Sequence, residues 1–232
     1  MLSKVSRRGF LALAPLALAA CTSSRLQPAA GVQPAVYVDP MYYEVYGAMP
    51  DEPHPIPAFN PASVRPELLR QVVDYPTTER SGTIIVDPGA KFLYLTRGDG
   101  QAIRYGVGVG RAGYDYQGDA YIGRKAAWPT WTPTATMIAE APELNAPWAG
   151  GKPPGLDNPL GARALYLYQN GRDTLYRIHG NNDPSSIGRS VSSGCIRLFN
   201  QDIIDLYNRV TVGSKVVVLN TGLKAPNDMG FI

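Results

Sequence analysis

The stretch Ala164-Leu165-Tyr166-Leu167-Tyr168-Gln169-Asn170-Gly171-Arg172-Asp173-Thr174-Leu175-Tyr176-Arg177-Ile178-His179 decides the fold class. Two runs rich in aromatic and branched residues flank Asn170-Gly171, and that dipeptide readily adopts the positive φ angles that a two-residue turn demands. An antiparallel hairpin over Ala164–Gln169 and Arg172–Ile178 is predicted. Its second strand delivers His179 at its end.

Upstream, Thr83–Asp87 and Lys91–Thr96 read as strands joined across the turn Asp87-Pro88-Gly89-Ala90. After a second turn, Arg97-Gly98-Asp99-Gly100, the apolar residues Ile103, Tyr105, Val107 and Val109 alternate with Arg104, Gly106 and Gly108. That period of two marks a strand with one buried face, the third of a meander. Between Gly110 and Gly161 few regular elements are expected. Trp128-Pro129-Thr130-Trp131-Thr132-Pro133 and Gly150-Gly151-Lys152-Pro153-Pro154-Gly155 punctuate a long loop of the kind that carries function. Trp128 and Trp131 fit either core packing or the wall of a groove. Downstream, Asn200 caps a predicted helix with Asp202 in its first turn and Ile203, Ile204, Tyr207 and Val210 on its apolar face. Gly213 and a buried strand, Lys215–Leu219, follow. The architecture is mainly β, with one clear helix and a short second one near Pro66–Val73.

Residues 22–81 read differently. Prolines 28, 34, 40, 50, 53, 55, 57, 61 and 66 interrupt them too often for helix or central strand. An extended, semi-rigid spacer is expected, with ordered structure beginning near Gly82. Tyr37, Tyr42, Tyr43 and Tyr46 either pack on the domain or stand exposed, and His54 reads as a solvated linker residue. The boundaries are then 1–21 for a leader, 22–81 for the Pro-rich extension, 82–220 for the folded domain and 221–232 for a tail.

The leader has the layout of an export signal. Lys4, Arg7 and Arg8 precede an apolar run from Phe10 to Ala20 that is too short to span a bilayer. Ser6-Arg7-Arg8-Gly9-Phe10-Leu11 resembles a twin-arginine signal, and Leu18-Ala19-Ala20-Cys21 resembles a lipobox in which Cys21 is acylated. Ordinary cleavage near Ala17-Leu18-Ala19 is the alternative. The expected location is the periplasm or cell envelope, with membrane attachment only through a lipid on Cys21. The formal net charge of +3 equals the three leader cations, so the rest of the chain is formally neutral and nucleic acid is not an expected partner. Hydrophobic residues make up 44% of the chain, enough for a real core.

The chain has two cysteines, Cys21 and Cys195, and two histidines, His54 and His179. A disulfide between the cysteines is conceivable, but loss or acylation of Cys21 leaves Cys195 as the single thiol of the folded body. A free thiol is only partly ionised at neutral pH and needs a base or a cation beside it to act as a nucleophile. His179 is the one body histidine that can supply the base. A buried, inert thiol is the competing reading, but Cys195 sits in Ser192-Ser193-Gly194-Cys195-Ile196-Arg197, among polar and small residues. Amides of Cys195, Gly194 and Ser193 can form an oxyanion hole. Arg197 can hold a substrate carboxylate or join an ion pair. With no acid in an obvious orienting position, a backbone carbonyl such as that of Gly180 is expected to fix the imidazole. One body histidine and one body thiol cannot furnish a zinc peptidase's ligand set.

His179-Gly180, then Ser192-x-Gly194-Cys195-Ile196-Arg197, then Asn200 and Asp202, resemble the signature of the L,D-transpeptidase catalytic domain (the YkuD-like family). The resemblance runs from about Thr83 to Leu219 and includes Asn158-Pro159-Leu160-Gly161. It implies a β-sandwich-like domain, no cofactor, and a thioester acyl-enzyme formed with a peptidoglycan tetrapeptide stem. By position, Cys195 matches the nucleophile, His179 the base, Gly180 the carbonyl that orients it, and Arg197 the basic residue after the nucleophile. Ser192 and Ser193 match the loop bordering the oxyanion site. The acceptor implied is an amine of a second stem or of an envelope protein. Water as acceptor, giving an L,D-carboxypeptidase or cross-link hydrolase, and a non-catalytic peptidoglycan-binding lipoprotein are the alternatives.

Overall fold

The computed structural model describes residues 37–110, 116–191 and 196–220. Among them are eleven strands: β1 (Gln71–Asp74), β2 (Ile84–Asp87), β3 (Phe92–Thr96), β4 (Gln101–Gly106), β5 (Gly108–Gly110), β6 (Gly118–Ala127), β7 (Arg163–Gln169), β8 (Arg172–His179), β9 (Ser190–Val191), β10 (Ile196–Arg197) and β11 (Lys215–Val218). Four α-helices accompany them: α1 (Met41–Val45), α2 (Ala135–Glu140), α3 (Pro142–Asn145) and α4 (Asn200–Arg209). The expected mainly β fold with few short helices is the observed one.

All eleven strands hydrogen-bond into one sheet, in the order β1-β4-β3-β2-β11-β6-β7-β8-β10-β5-β9. β4 and β5 are consecutive in the chain with only Val107 between them, so the two flanks of the sheet are joined covalently and it wraps on itself. Leu93, Tyr105, Ile122, Leu165 and Ile178 fill the interior, and α4 closes it with Ile203 and Leu206. The hairpin of β7 and β8 turns on Asn170 and Gly171, at φ 51° and 77°, the left-handed pair that a two-residue turn needs.

Several expectations need correction. The segment before Gly82 is not a spacer from residue 37 onward. β1 pairs antiparallel with β4 from Gln71↔Arg104 to Asp74↔Gln101, where a short helix was expected. Only Pro66–Leu68 of that stretch forms a 3-10 turn. Tyr46 and Leu69 are fully buried against Ile187 and Phe199. The Phe59 ring lies 4.5 Å from that of Phe199. Proline blocks regular hydrogen-bonded elements, but it does not stop an extended chain from burying the aromatic residues between its prolines. Of the four tyrosines, Tyr46 packs, whereas Tyr37 and Tyr43 are exposed. His54 is not a solvated linker residue: its ring centre lies 4.6 Å from that of Trp128, tilted by 58°.

The region 110–161 holds a ten-residue strand, β6, that the alternation rule misses. A register shift between Ile122 and Arg124 breaks the pattern at Gly123. The Tyr168 ring occupies the space there, only 2.2 Å from where a Cβ would stand. The meander's third strand is also divided. β4 pairs with β3, whereas β5 leaves to pair with β10, and both faces of Val107–Val109 are buried.

Candidate active site

The site is organised where β8 ends. Parallel pairing sets β10 beside β8, with Ile196 opposite Ile178 and Arg197 opposite His179. On its other side β10 pairs with β5, Ile196 opposite Val109. The Leu198 amide continues the attachment by donating to the His179 carbonyl at 2.9 Å. The loop that leaves β8 therefore returns to the same strand end. Ser192, Ser193, Gly194 and Cys195 lie outside the described residues.

His179 is buried, with 3% of its surface exposed. Its Nδ1 stands 2.7 Å from the carbonyl oxygen of its own neighbour, Gly180. A carbonyl can only accept, so Nδ1 of the neutral ring carries the hydrogen and Nε2 keeps its lone pair. Burial, then the positive charge of Arg197, pushes the imidazole down to about 3, against the upward pull of the Gly180 carbonyl. At neutral pH the ring is an uncharged acceptor at Nε2.

The turn after β8 is held by asparagines. Asn181 donates from Nδ2 to Ser186 Oγ at 2.7 Å and accepts from the Asp183 amide at 2.8 Å. Asn200 was expected to cap α4. The cap position is Phe199, with no side-chain cap bond, and the Asn200 side chain reaches across to the turn instead. Its Oδ1 accepts from the amides of Ala162 at 3.0 Å and Asn181 at 3.2 Å, and its Nδ2 donates to the Asn181 carbonyl at 2.9 Å. Asn158, fully buried, fastens the 128–161 loop by donating to the carbonyls of Pro129 and Pro153 at 3.0 and 2.9 Å. Sequence reasoning quoted both Asn158 and Asn200 but gave neither this work. Each makes contacts with backbone distant in sequence, which local patterns do not report.

Trp128 belongs to the packing. Its indole is 7% exposed and donates to Glu52 Oε2 at 2.8 Å, and Glu52 also receives both terminal nitrogens of Arg163, at 3.0 and 2.6 Å. Burial alone would raise the Glu52 carboxyl, but the hydrogen bonds from Arg163 and Trp128 hold it below its ordinary value. Trp131 is half-buried and bridges to Lys152 through the backbone.

Comparison with known proteins identifies the family. The family model for the L,D-transpeptidase catalytic domain (YkuD) matches residues 81–218. The probable L,D-transpeptidase YbiS of Escherichia coli (strain K12) is 34% identical over 203 residues, covering 87% of this chain and 65% of that protein. The probable L,D-transpeptidase YcfS of the same strain is 37% identical over 152 residues, covering 64% of this chain and 47% of that protein. The chain thus spans less than two thirds of the length of these relatives. A crystal structure from Brucella melitensis, titled a probable carnitine operon oxidoreductase, aligns at 45% identity over 69% of this chain and 99% of that one. Its TM-score is 0.48, an overlap that adds nothing to the assignment. With the family model covering more than half of its length, the chain belongs to the L,D-transpeptidase catalytic domain family.

Proposed function

We propose that the protein is a cell-wall L,D-transpeptidase in which Cys195 is the nucleophile and His179 its base. The observation that carries this reading is the parallel pairing of β10 with β8. Ile196, bonded directly to Cys195, faces Ile178, bonded directly to His179. The substrate is a peptidoglycan tetrapeptide stem, cut between the L-centre of its diamino acid and the terminal D-Ala. As Sγ attacks the carbonyl carbon, its proton passes to Nε2 of His179, and amides of Cys195, Gly194 and Ser193 take the developing oxyanion. The tetrahedral adduct collapses to a thioester, and D-Ala leaves with the proton from His179. An amine of a second stem or of an envelope protein then attacks the thioester, gives its proton to His179, and releases the thiol.

Burial and the Arg197 charge keep the imidazole neutral, so it meets the thiol as an acceptor at Nε2. Arg197 is assigned to a substrate carboxylate. Residues 1–21 are proposed to export the chain and Cys21 to carry the lipid. Labelled-lipid incorporation that survived Cys21→Ala would remove that assignment.

The deciding experiment incubates the full chain with disaccharide-tetrapeptides and resolves products by mass. A 3-3 cross-linked dimer supports transpeptidation, and tripeptide alone turns the assignment to hydrolysis with water as acceptor. Cross-linking retained by Cys195→Ala would overturn the mechanism.

A further inference from the structure

The peptide group between Gly180 and Asn181 has two ends, and both are engaged. Its carbonyl faces Nδ1 of His179 at 2.7 Å, and its N–H donates to Oδ1 of Asn200 at 3.2 Å. The orientation of the imidazole therefore depends on the tilt of one peptide plane. The Asn200 side chain holds that plane directly through Oδ1, which accepts from the Asn181 amide, and is itself anchored by two flanking bonds: Oδ1 accepts from the Ala162 amide and Nδ2 donates to the Asn181 carbonyl. Ala162 directly precedes β7 and Gly180 directly follows β8, so one amide side chain ties together two neighbouring strand ends. The fit is close. A Cβ on Gly161 or on Gly180 would stand 2.3 Å from Asn200 Oδ1. A helix cap would have used the amides of α4 itself, whereas the hydrogen bonds described for this side chain go to Ala162 and Asn181.

We propose that Asn200 is a positioning residue that selects the reactive tautomer of His179 through the Gly180–Asn181 peptide plane. The inference rests on the reading of His179 as the base. With the plane fixed, the Gly180 carbonyl accepts from Nδ1–H and leaves Nε2 free to take the thiol proton. With the plane free to rotate, Nδ1 loses its acceptor and the hydrogen redistributes to Nε2, where it blocks proton transfer. Loss of the correct tautomer can cost a base-dependent enzyme up to about 10⁴ in kcat.

The test is a ring-nitrogen NMR correlation on the full chain labelled with ¹⁵N, with His54→Gln identifying the signal of the other histidine. The wild type is expected to show one neutral Nδ1–H form of His179 between pH 5 and 8. Asn200→Ala is expected to add an Nε2–H population and to lower cross-linking kcat at least about tenfold with KM little changed. Asn200→Asp keeps the shape and the acceptor but turns an oxygen toward the Asn181 carbonyl, and it decides the matter if the alanine variant does not fold. Asp202→Asn, in the same helical turn, is expected to change stability and leave the tautomer alone. An unaltered tautomer in both Asn200 variants, or the same shift in Asp202→Asn, overturns the proposal. A wild type that shows the Nδ1–H form yet makes neither cross-link nor tripeptide refutes the catalytic reading and leaves the positioning intact.

Discussion

Tyr46→Phe removes one oxygen from a residue that sequence places in a proline-rich tail, and its cost can be worked from three contacts. The Tyr46 hydroxyl donates to Asp202 Oδ2 at 3.0 Å and accepts from the Arg70 amide at 2.7 Å. The ring, meeting Phe199 edge-on at 5.7 Å, is unaffected by the change. What remains is a part-buried amide and a buried carboxyl that have each lost a partner, at about 1–3 kcal/mol apiece, so about 2–6 kcal/mol together. The cost also depends on pH. Burial pushes the Asp202 carboxyl up to about 7, with Arg70 and the Tyr46 hydroxyl pulling the other way. Deleting the hydroxyl raises the carboxyl further. A folded-state carboxyl raised above its unfolded value binds more protons than the unfolded chain, so its unfavourable effect grows as pH climbs toward the folded value. In the variant that loss continues to higher pH than in the wild type. The destabilisation is therefore expected near the lower figure at pH 5 and near the higher at pH 8. Urea unfolding followed by tryptophan fluorescence at both pH values measures it, as a shifted midpoint with an unchanged slope. A cost below about 1 kcal/mol, or an equal cost at the two pH values, would refute the assignment of these hydrogen bonds.

Glu52→Gln breaks a pair whose side chains are 13% and 12% exposed, and an expected loss of about 3–5 kcal/mol would appear in thermal unfolding, with a changed Trp128 emission as the local sign. A chain started at Gly82 would leave β4 without β1 and Phe199 without Tyr46 and Phe59; it is expected to unfold well below the full chain or to aggregate, and an equal melting temperature would refute the packing described. His179 and Asp202 should oppose one another in the pH dependence of stability. A histidine held at about 3 stays neutral while the unfolded ring protonates, so its contribution falls as pH drops below about 6.5; a carboxyl held at about 7 acts in the opposite direction over nearly the same window. Asp202→Asn is accordingly expected to give a stability that rises with pH between about 4 and 7, and His179→Gln one that falls, read from urea midpoints; parallel slopes in the two variants would contradict both assignments.

The hairpin was legible because Asn170-Gly171 states its own geometry, and α4 because Ile203, Ile204 and Tyr207 recur at helical spacing. His179 at the end of β8 followed from the hairpin alone. What escaped were contacts between parts distant in the chain. β10 is two residues long, and no periodicity can be seen in Ile196-Arg197, yet its parallel pairing organises the site. Tyr46 and Asp202 meet across a sequence separation of 156 residues. Proline density does not exclude short elements between the prolines, such as α1 and β1, and burial is decided by side chains. Asn200 misled because a cap and a bridge between loops use the same amide groups, and only the fold decides which backbone they meet.

The first turn of α4 joins the N-terminal segment to the site. Asn200 and Asp202 are two positions apart, and residues so spaced on a helix do not share a face. Asn200 turns to the Gly180–Asn181 peptide, and Asp202 turns to Tyr46. At the other end of the helix, Lys125 Nζ donates to the carbonyls of Tyr207 and Val210, both at 2.6 Å, which secures the last turn against the sheet. The helix is thus fastened at both ends, and its start is fixed by residues that precede the family's matched span, 81–218. Hydrogen bonds of the kind Asn200 makes weaken steeply with misalignment. Residues 37–80 touch neither His179 nor β10 through any of the hydrogen bonds described; through Tyr46 and Asp202 they hold the first turn of α4, while the peptide that faces His179 is held by Asn200.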